Sequence, residues 1–390
     1  MEYKIKELLS SIVDNRGKTP PLANDGYILI EINAIASKKK NPDYSLIKKK
    51  VSKEVYDSWF RSGHPQKGDI LIPTVGTLDA IGYMDRNDCC IAQNLIAFRT
   101  NPKICHSEYL FYLLCDPNIR KRLLNLDIGG VQPSIKVPHL KDLKVNIPPL
   151  DIQHRISTVL SSLDSKIAVN TAINENLHQL IAAYYAEIFK ECEHTAKISD
   201  YADKVFSGGT PTTSNESYWS GEFKWLSSGE TSQKYIVDTE KTITQAGVDN
   251  SSTRLAKKYD TVIASAGQGH TRGQTSMLLT DTYINQSIIV VESERIYMPF
   301  IYWNICGRYE ELRVISNSNS IRGSLTTKMI SAFTAPKADI TQISRFSELA
   351  WAAIHEIEKN CNEIARLAAL RDTLLPKLMN GEIDVSKVKL

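Results

Sequence analysis

The stretch Ser265-Ala266-Gly267-Gln268-Gly269-His270-Thr271-Arg272-Gly273-Gln274 sets forked hydrogen-bonding side chains among glycines. Ser265, Gln268, His270 and Gln274 can donate to and accept from base edges, Arg272 can donate to them, and glycine lets the backbone come close to whatever they touch. That combination suits a nucleic-acid groove; a polar surface loop with no ligand uses the same residue types. The corresponding stretch nearer the N-terminus, Thr74-Val75-Gly76-Thr77-Leu78-Asp79, offers the hydroxyls of Thr74 and Thr77 and no cation. Positive charge lies elsewhere in that half. Lys38, Lys39, Lys40, Lys48, Lys49, Lys50 and Lys53 face Asp43 alone between Ser37 and Lys53, and Arg16 and Lys18 flank Gly17. Lysines in such a cluster would hold a phosphate backbone, positioning without specifying. The alternative is a solvated loop.

Catalytic and metal chemistry find less support. Seven cysteines, at 89, 90, 105, 115, 192, 306 and 361, form no CxxC pair, and the eight histidines show no ligand spacing. Neither a disulfide framework nor a structural metal is expected, and free thiols suit a reducing compartment. No GxxxxGK[ST] phosphate loop occurs, since Gly208-Gly209-Thr210 lacks the lysine, and no Ser/His/Asp set can be assembled from spacing. No catalytic residue is assigned. Charged residues make up 23% and hydrophobic residues 42% of 390, an ordinary globular balance. No apolar run approaches the ~18 residues of a membrane span, and the N-terminus lacks a signal-peptide core. A cytoplasmic protein of two or three domains, with no membrane association, is expected.

The elements that must carry these loops occur twice. Gly68-Asp69-Ile70-Leu71-Ile72-Pro73-Thr74-Val75-Gly76 recurs as Tyr259-Asp260-Thr261-Val262-Ile263-Ala264-Ser265-Ala266-Gly267, an offset of 191. With nearly the same offset Gly17-Lys18-Thr19-Pro20 meets Gly208-Gly209-Thr210-Pro211, Ala92-Gln93-Asn94 meets Asn285-Gln286-Ser287, and Ser134-Ile135 meets Ser324-Leu325. Ordered matches at one spacing identify an internal repeat. Within it, short β-rich runs alternate with Gly, Asn and Ser turns, and a helical patch at 108–126 matches another at 298–314.

Each copy then closes on one long helix. Leu163, Ile167, Asn170, Asn174, Leu177, Ile181, Tyr184 and Ile188 follow steps of four and three. So do Ile343, Phe346, Ala350, Ala353, Ile357, Asn360, Ile364, Leu367, Arg371, Leu374 and Leu378. This is the heptad period of a coiled-coil seam, in which Asn170 and Asn360 would fix register at some cost in stability. Asp151, after Pro148-Pro149, is placed to cap the first helix, and Asp339 with Gln342 forms a capping box for the second. Pro376 should kink the last turn before Asn380-Gly381 ends it. From Ile152 to Phe189 the first helix spans about 57 Å, too long and too apolar on one face to stand alone, so the two helices are expected to pair.

Globular β-rich domain, long helix, and the same again, with NIPPLDIQHRI at 146–156 and LLPKLMNGEIDV at 374–385, resembles the specificity subunit of type I restriction-modification complexes. The resemblance covers essentially the whole chain and rests on the order of parts more than on any one motif. It implies an α+β fold. Target-recognition domain 1 would occupy 1–147, the first spacer helix 148–190, target-recognition domain 2 191–337, and the second spacer helix and tail 338–390. The domains would be a tandem repeat related by a pseudo-twofold axis and separated by antiparallel coiled-coil helices. Each would read one half of a split double-stranded DNA target. The spacer would dock modification subunits, adenine methyltransferases using S-adenosylmethionine, and restriction subunits would add ATP- and Mg-dependent translocation and cleavage. The chain itself would hold no cofactor and perform no catalysis. Asn146-Ile147-Pro148-Pro149-Leu150 is close to the Asn-Pro-Pro-aromatic motif of adenine methyltransferases, but Ile147 interrupts it and Leu150 cannot stack on a base, so it reads as a helix start.

One feature runs against a DNA reader. Residues 1–150 hold 22 Lys/Arg against 16 Asp/Glu, but 191–339 hold 15 against 17. Basic side chains must therefore converge on one face of the second domain, or a partner must enclose the DNA. Weak DNA affinity of the isolated chain is expected. A stand-alone DNA-modifying enzyme and a coiled-coil scaffold are the remaining alternatives.

Overall fold

The computed structural model describes residues 1–36, 39–127, 129, 133–267, 269–317 and 323–387. The chain forms two compact units, Met1–Ile167 with Arg366–Leu390, and Ala168–Ala365. These differ from the segments marked out in the sequence, because each unit takes in one globular part together with portions of both long helices.

In the first unit, an antiparallel sheet runs Leu9–Val13, Leu95–Thr100, Ile70–Pro73, Gly82–Tyr83 in spatial order. A second sheet is ordered Lys50–Val51, Tyr27–Ile30, Cys89–Ile91, its last two strands parallel. Strand alternation divides the core, because successive side chains point to opposite faces. Ile70, Ile72, Ile96 and Phe98 pack with the helix Ser107–Cys115, while Leu71, Leu95 and Ala97 pack toward the second sheet with Ile30 and Ile91. Both faces being covered, the strand Ile70–Pro73 is buried along its whole length.

The second unit repeats the plan. Its first sheet is ordered Lys204–Ser207, Ile288–Glu292, Thr261–Ala264, Thr275–Leu278, Tyr235–Ile236. Its second is Lys241–Ile243, Trp219–Leu226, Thr282–Ile284, Arg254–Ala256, again with one parallel pair at its centre. Ile263, Ile289 and Val291 join the helix Met298–Cys306 in one core, and Val262, Ile288 and Val290 join Leu226 and Ile284 in another.

The repeat also preserves a backbone conformation. Asp69 and Asp260 each follow a residue in the left-handed region, Gly68 at φ 94° and Tyr259 at φ 76°. Glycine adopts it freely, whereas a tyrosine there is strained. Contacts with the second long helix hold Tyr259 in place: its ring meets Trp351 edge-on at 4.8 Å and its hydroxyl donates to Glu358 Oε2 at 2.7 Å. Tyr259→Phe should therefore lower the unfolding free energy by about 1 kcal/mol, measured by urea titration, through the lost hydrogen bond to a half-exposed carboxylate.

The long helices span Leu150–Ile188 and Ile340–Met379. The first starts one residue ahead of Asp151, which lies exposed in its first turn and is not the cap. Gln153 secures that end instead, donating to the carbonyls of Ile104 and Pro148 and accepting from His106 N. The capping box of the second helix forms as expected, with Gln342 N donating to Asp339 Oδ1 at 2.8 Å and Asp339 N to Gln342 Oε1 at 3.2 Å. That helix continues through Pro376, and Gly381 at φ 78° follows its end.

Within each unit the helices run antiparallel. In the second, Asn170 pairs with Glu363, Asn174 with Cys361 and Asn360, and Ile181 shares a core with Ile343, Ile354 and Ile357. In the first, Asp164 meets Arg371, and Ile156 and Leu160 pack with Leu375 and Leu378. Of the seam positions expected from the heptads, Asn170, Ile181, Ile357, Asn360 and Leu378 are buried; Leu163, Ile167, Leu177, Tyr184, Ile188, Ile364, Leu367 and Leu374 are half-buried.

Candidate nucleic-acid interface

The four stretches that match between the copies lie tens of residues apart in sequence, yet hydrogen bonds gather them beyond the ends of the central strands of the first sheet in each unit. In the first, Thr74 N donates to the Asn94 carbonyl at 2.9 Å and Ile135 N to the Thr74 carbonyl at 2.9 Å. In the second, Ser265 N donates to the Ser287 carbonyl at 2.8 Å and Leu325 N to the Ser265 carbonyl at 2.9 Å. The fourth stretch closes over this junction through side chains: Gln93 Nε2 donates to Thr19 Oγ1 at 3.1 Å, and Thr210 Oγ1 donates to Gln286 Oε1. Gly76 at φ 90° and Gly267 at φ 137° turn the chain away just beyond the junction, a conformation that L side chains rarely adopt.

This arrangement assigns several candidate readers to other work. Thr74 and Ser265 are buried and tie the loops together. Arg272 is 7% exposed; its Nη1 donates to the Gly323 carbonyl at 2.9 Å and its Nη2 to Asn317 Oδ1. It braces the loop from within and does not point toward a groove. Gln274 is half-buried behind Thr231. His270 is exposed, and its carbonyl accepts from the Tyr309 hydroxyl at 2.8 Å. Gln268 lies outside the described residues, as does Lys38.

The basic cluster of the first unit is also largely paired. Arg16 makes a two-pronged contact with Asp14, at 2.8 Å on both carboxylate oxygens, which holds the Asp14 carboxyl below its ordinary range and raises the guanidinium. Lys39 pairs with Asp43 at 2.6 Å, Lys49 with Glu31 at 2.7 Å and Lys50 with Asp25 at 2.9 Å. These surface pairs are weak and a phosphate can displace the carboxylate. Lys40 differs: it pairs with Glu108 and sits 5.1 Å from the Tyr83 ring, beside a cleft of about 660 Å³ whose cations Arg120 and Arg371 face Asp79 and Asp164. Each cation lining that cleft, Lys39 included, is paired with a carboxylate.

Among the described residues Lys18, Lys48 and Lys53 carry no ion pair, and Thr77 is exposed. Two of these lysines belong to the junction. Lys18 adjoins Thr19. Lys48 lies at the end of the second sheet where Leu29 N bonds the Lys49 carbonyl and Ala92 N the Ile30 carbonyl, next to Gln93. The second unit supplies its cation from a place sequence reasoning did not select. Arg254 pairs in register with Ile284, two residues before Gln286, and its guanidinium lies exposed over the Phe206 ring at 4.4 Å. Thr19, Gln93, Thr210 and Gln286 were legible as repeat matches and were not selected as contacts.

Among the described residues no cluster of three or more His, Cys, Asp or Glu could hold a metal ion, and no helix is long and apolar enough to cross a membrane. A family model described as the type I restriction modification DNA specificity domain matches residues 1–179. The chain is 20% identical to the type I restriction enzyme HindI specificity subunit of Haemophilus influenzae, over 82% of this chain and 87% of that one. It is 26% identical to the EcoR124I/EcoR124II specificity subunit of Escherichia coli, over 51% of each. The crystal structure of a type I restriction-modification S subunit from M. genitalium superposes with a TM-score of 0.58 at 16% identity, covering 97% of this chain and 95% of that one, and so shares the fold.

Proposed function

We propose that the chain is a type I restriction-modification specificity subunit, as the family model over residues 1–179 and its relatives support, and that it reads a bipartite, asymmetric double-stranded DNA sequence. Each globular part reads one half, and the paired helices, 39 and 40 residues long, set the unread gap and dock the modification subunits. The observation that carries this reading is the same four-stretch junction built twice from different residues: Thr74, Asn94 and Ile135 in one unit, Ser265, Ser287 and Leu325 in the other. One scaffold with two surfaces suits two dissimilar half-sites, because base edges are told apart by the side chains presented to them. Catalysis belongs to partners: methyl transfer from S-adenosylmethionine to the modification subunits, and ATP- and Mg-dependent work to the restriction subunits. The setting is inside the cell, with the DNA.

Exchanging residues 197–335 for the same part of another specificity subunit tests this directly. Methylome sequencing of cells carrying the chimera with its modification genes should show one half of the methylated motif replaced and the other half and the gap retained. A motif altered in both halves, or in neither, would refute the division of labour.

A further inference from the structure

The geometry points to the two threonine–glutamine pairs, Thr19–Gln93 and Thr210–Gln286, as the contact each globular part makes with the sugar–phosphate backbone of DNA, setting the depth and register at which its other residues read bases. This rests on the DNA-reading function above and assigns a role to residues which that reading leaves unassigned.

Three observations carry it. First, the pairs are equivalent. They join the same two loops at the same junction of each unit, while their neighbours differ: Lys18 against Gly209, Asn94 against Ser287, Thr77-Leu78-Asp79 against the longer glycine-rich loop that ends at Gln274. If the two half-sites differ in sequence, what they share is backbone, so the shared contact belongs there and discrimination belongs to the differing neighbours.

Second, the loops of the second unit meet without their pair, since Gly209 N donates to the Ile284 carbonyl at 3.1 Å. Thr19, Gln93 and Gln286 are exposed and Thr210 half-exposed. A hydrogen bond in water between such groups adds little to folding.

Third, the pairs retain what a phosphate needs. With Gln93 donating to Thr19, one amide hydrogen and the threonine hydroxyl hydrogen remain; with Thr210 donating to Gln286, both amide hydrogens remain. Either arrangement leaves two donor hydrogens unused, and a phosphate oxygen only accepts. Each pair has unpaired cations nearby in the fold, Lys18 and Lys48 in the first unit and Arg254 in the second.

The test uses the full chain at low salt, selecting from a randomised DNA duplex library and then titrating one duplex of fixed sequence. Gln93→Ala with Gln286→Ala should weaken binding to every duplex by about tenfold per pair while the selected bases stay those of the parent. Gln93→Lys with Gln286→Lys should restore affinity and steepen its salt dependence by about one unit per lysine in the log–log slope. A structural clamp alone would not respond in this way. New base preferences in either half would overturn the inference by making the pair a reader. Unchanged affinity accompanied by a lowered melting temperature would overturn it by making the pair a clamp. A parent chain that selects no sequence at all is a different result, refuting the DNA-reading function from which the inference starts.

Discussion

Arg99→Ala should cost the first unit about 2–3 kcal/mol, because Asp69 is buried while the Arg99 side chain is 31% exposed. Asp69 is 2% exposed and is held by Arg99 through Nε to Oδ1 at 3.0 Å and Nη2 to Oδ2 at 2.8 Å, with Gln66 N donating as well. The truncation leaves a buried carboxylate with only that amide. The second unit carries the experiment already done. Asp260 stands where Asp69 does, at 1% exposure, but the strand pairing puts Glu292 where Arg99 would be. Lys257 N donates to Oδ2 at 2.8 Å and Oδ1 finds no partner. Burial, more than the nearby Glu292 and Asp281, pushes the Asp260 carboxyl up to about 7 against the pull of Lys257; Lys204 and Lys257 instead reach Glu292.

The sign follows from proton binding. Between about pH 4 and pH 7 the folded unit keeps the proton that the unfolded chain has lost, so stability falls as pH rises through that window and levels off above it. The loss is on the order of 4 kcal/mol for a single group shifted this far. Asp260→Asn should therefore flatten the pH dependence and leave the second unit more stable than the parent at pH 8. Urea unfolding followed by tryptophan fluorescence is suited to this, since Trp219, Trp225, Trp303 and Trp351 all lie in that unit and only Trp59 in the other. A variant with the same slope as the parent between pH 5 and 8 would show that Asp260 is ionised in the fold.

That contrast was available in the aligned copies, and so was most of the framework, for a common reason. Heptad spacing and strand alternation are periodic consequences of burial, so Ile181, Ile357 and the strands opening on Asp69 and Asp260 declare themselves locally. The interface is legible only in part. Arg272 looks like a reader because its glycine-rich setting is local, whereas Asn317 and Gly323, which hold it inward, come some 45 and 51 residues later. Lys39, Lys49 and Lys50 look like a free cluster because their carboxylates, apart from Asp43, arrive through strand pairing. Arg254 escaped notice because only the register against Ile284 brings it to the junction where Gln286 lies.

The asparagines of the helix seam allow an expectation that separates specificity from stability. Asn360 Nδ2 donates to Asn174 Oδ1 at 2.9 Å, and Asn174 Nδ2 reaches Cys361 Sγ at 3.3 Å, all in a setting where Asn174 is 9% and Asn360 4% exposed. Asn360→Leu alone leaves the Asn174 carbonyl oxygen buried without its donor, and should cost the second unit about 1–3 kcal/mol. Asn174→Leu alone strands the Asn360 amide at a similar cost. The double substitution removes both polar groups and extends the apolar stripe that runs to Ile181 and Ile357, so it should recover most of the loss, with a coupling of up to about 3 kcal/mol in a double-mutant cycle. It also removes the feature that penalises a shifted helix pairing, because a leucine tolerates many partners and a buried amide does not. The stable double variant should therefore bind DNA with a less sharply defined gap in the selected motif, while each single variant, though weaker, keeps the parent gap. Additive costs in the cycle would show that the two asparagines act separately, and a gap as sharp as the parent's in the double variant would place register control elsewhere along the helices.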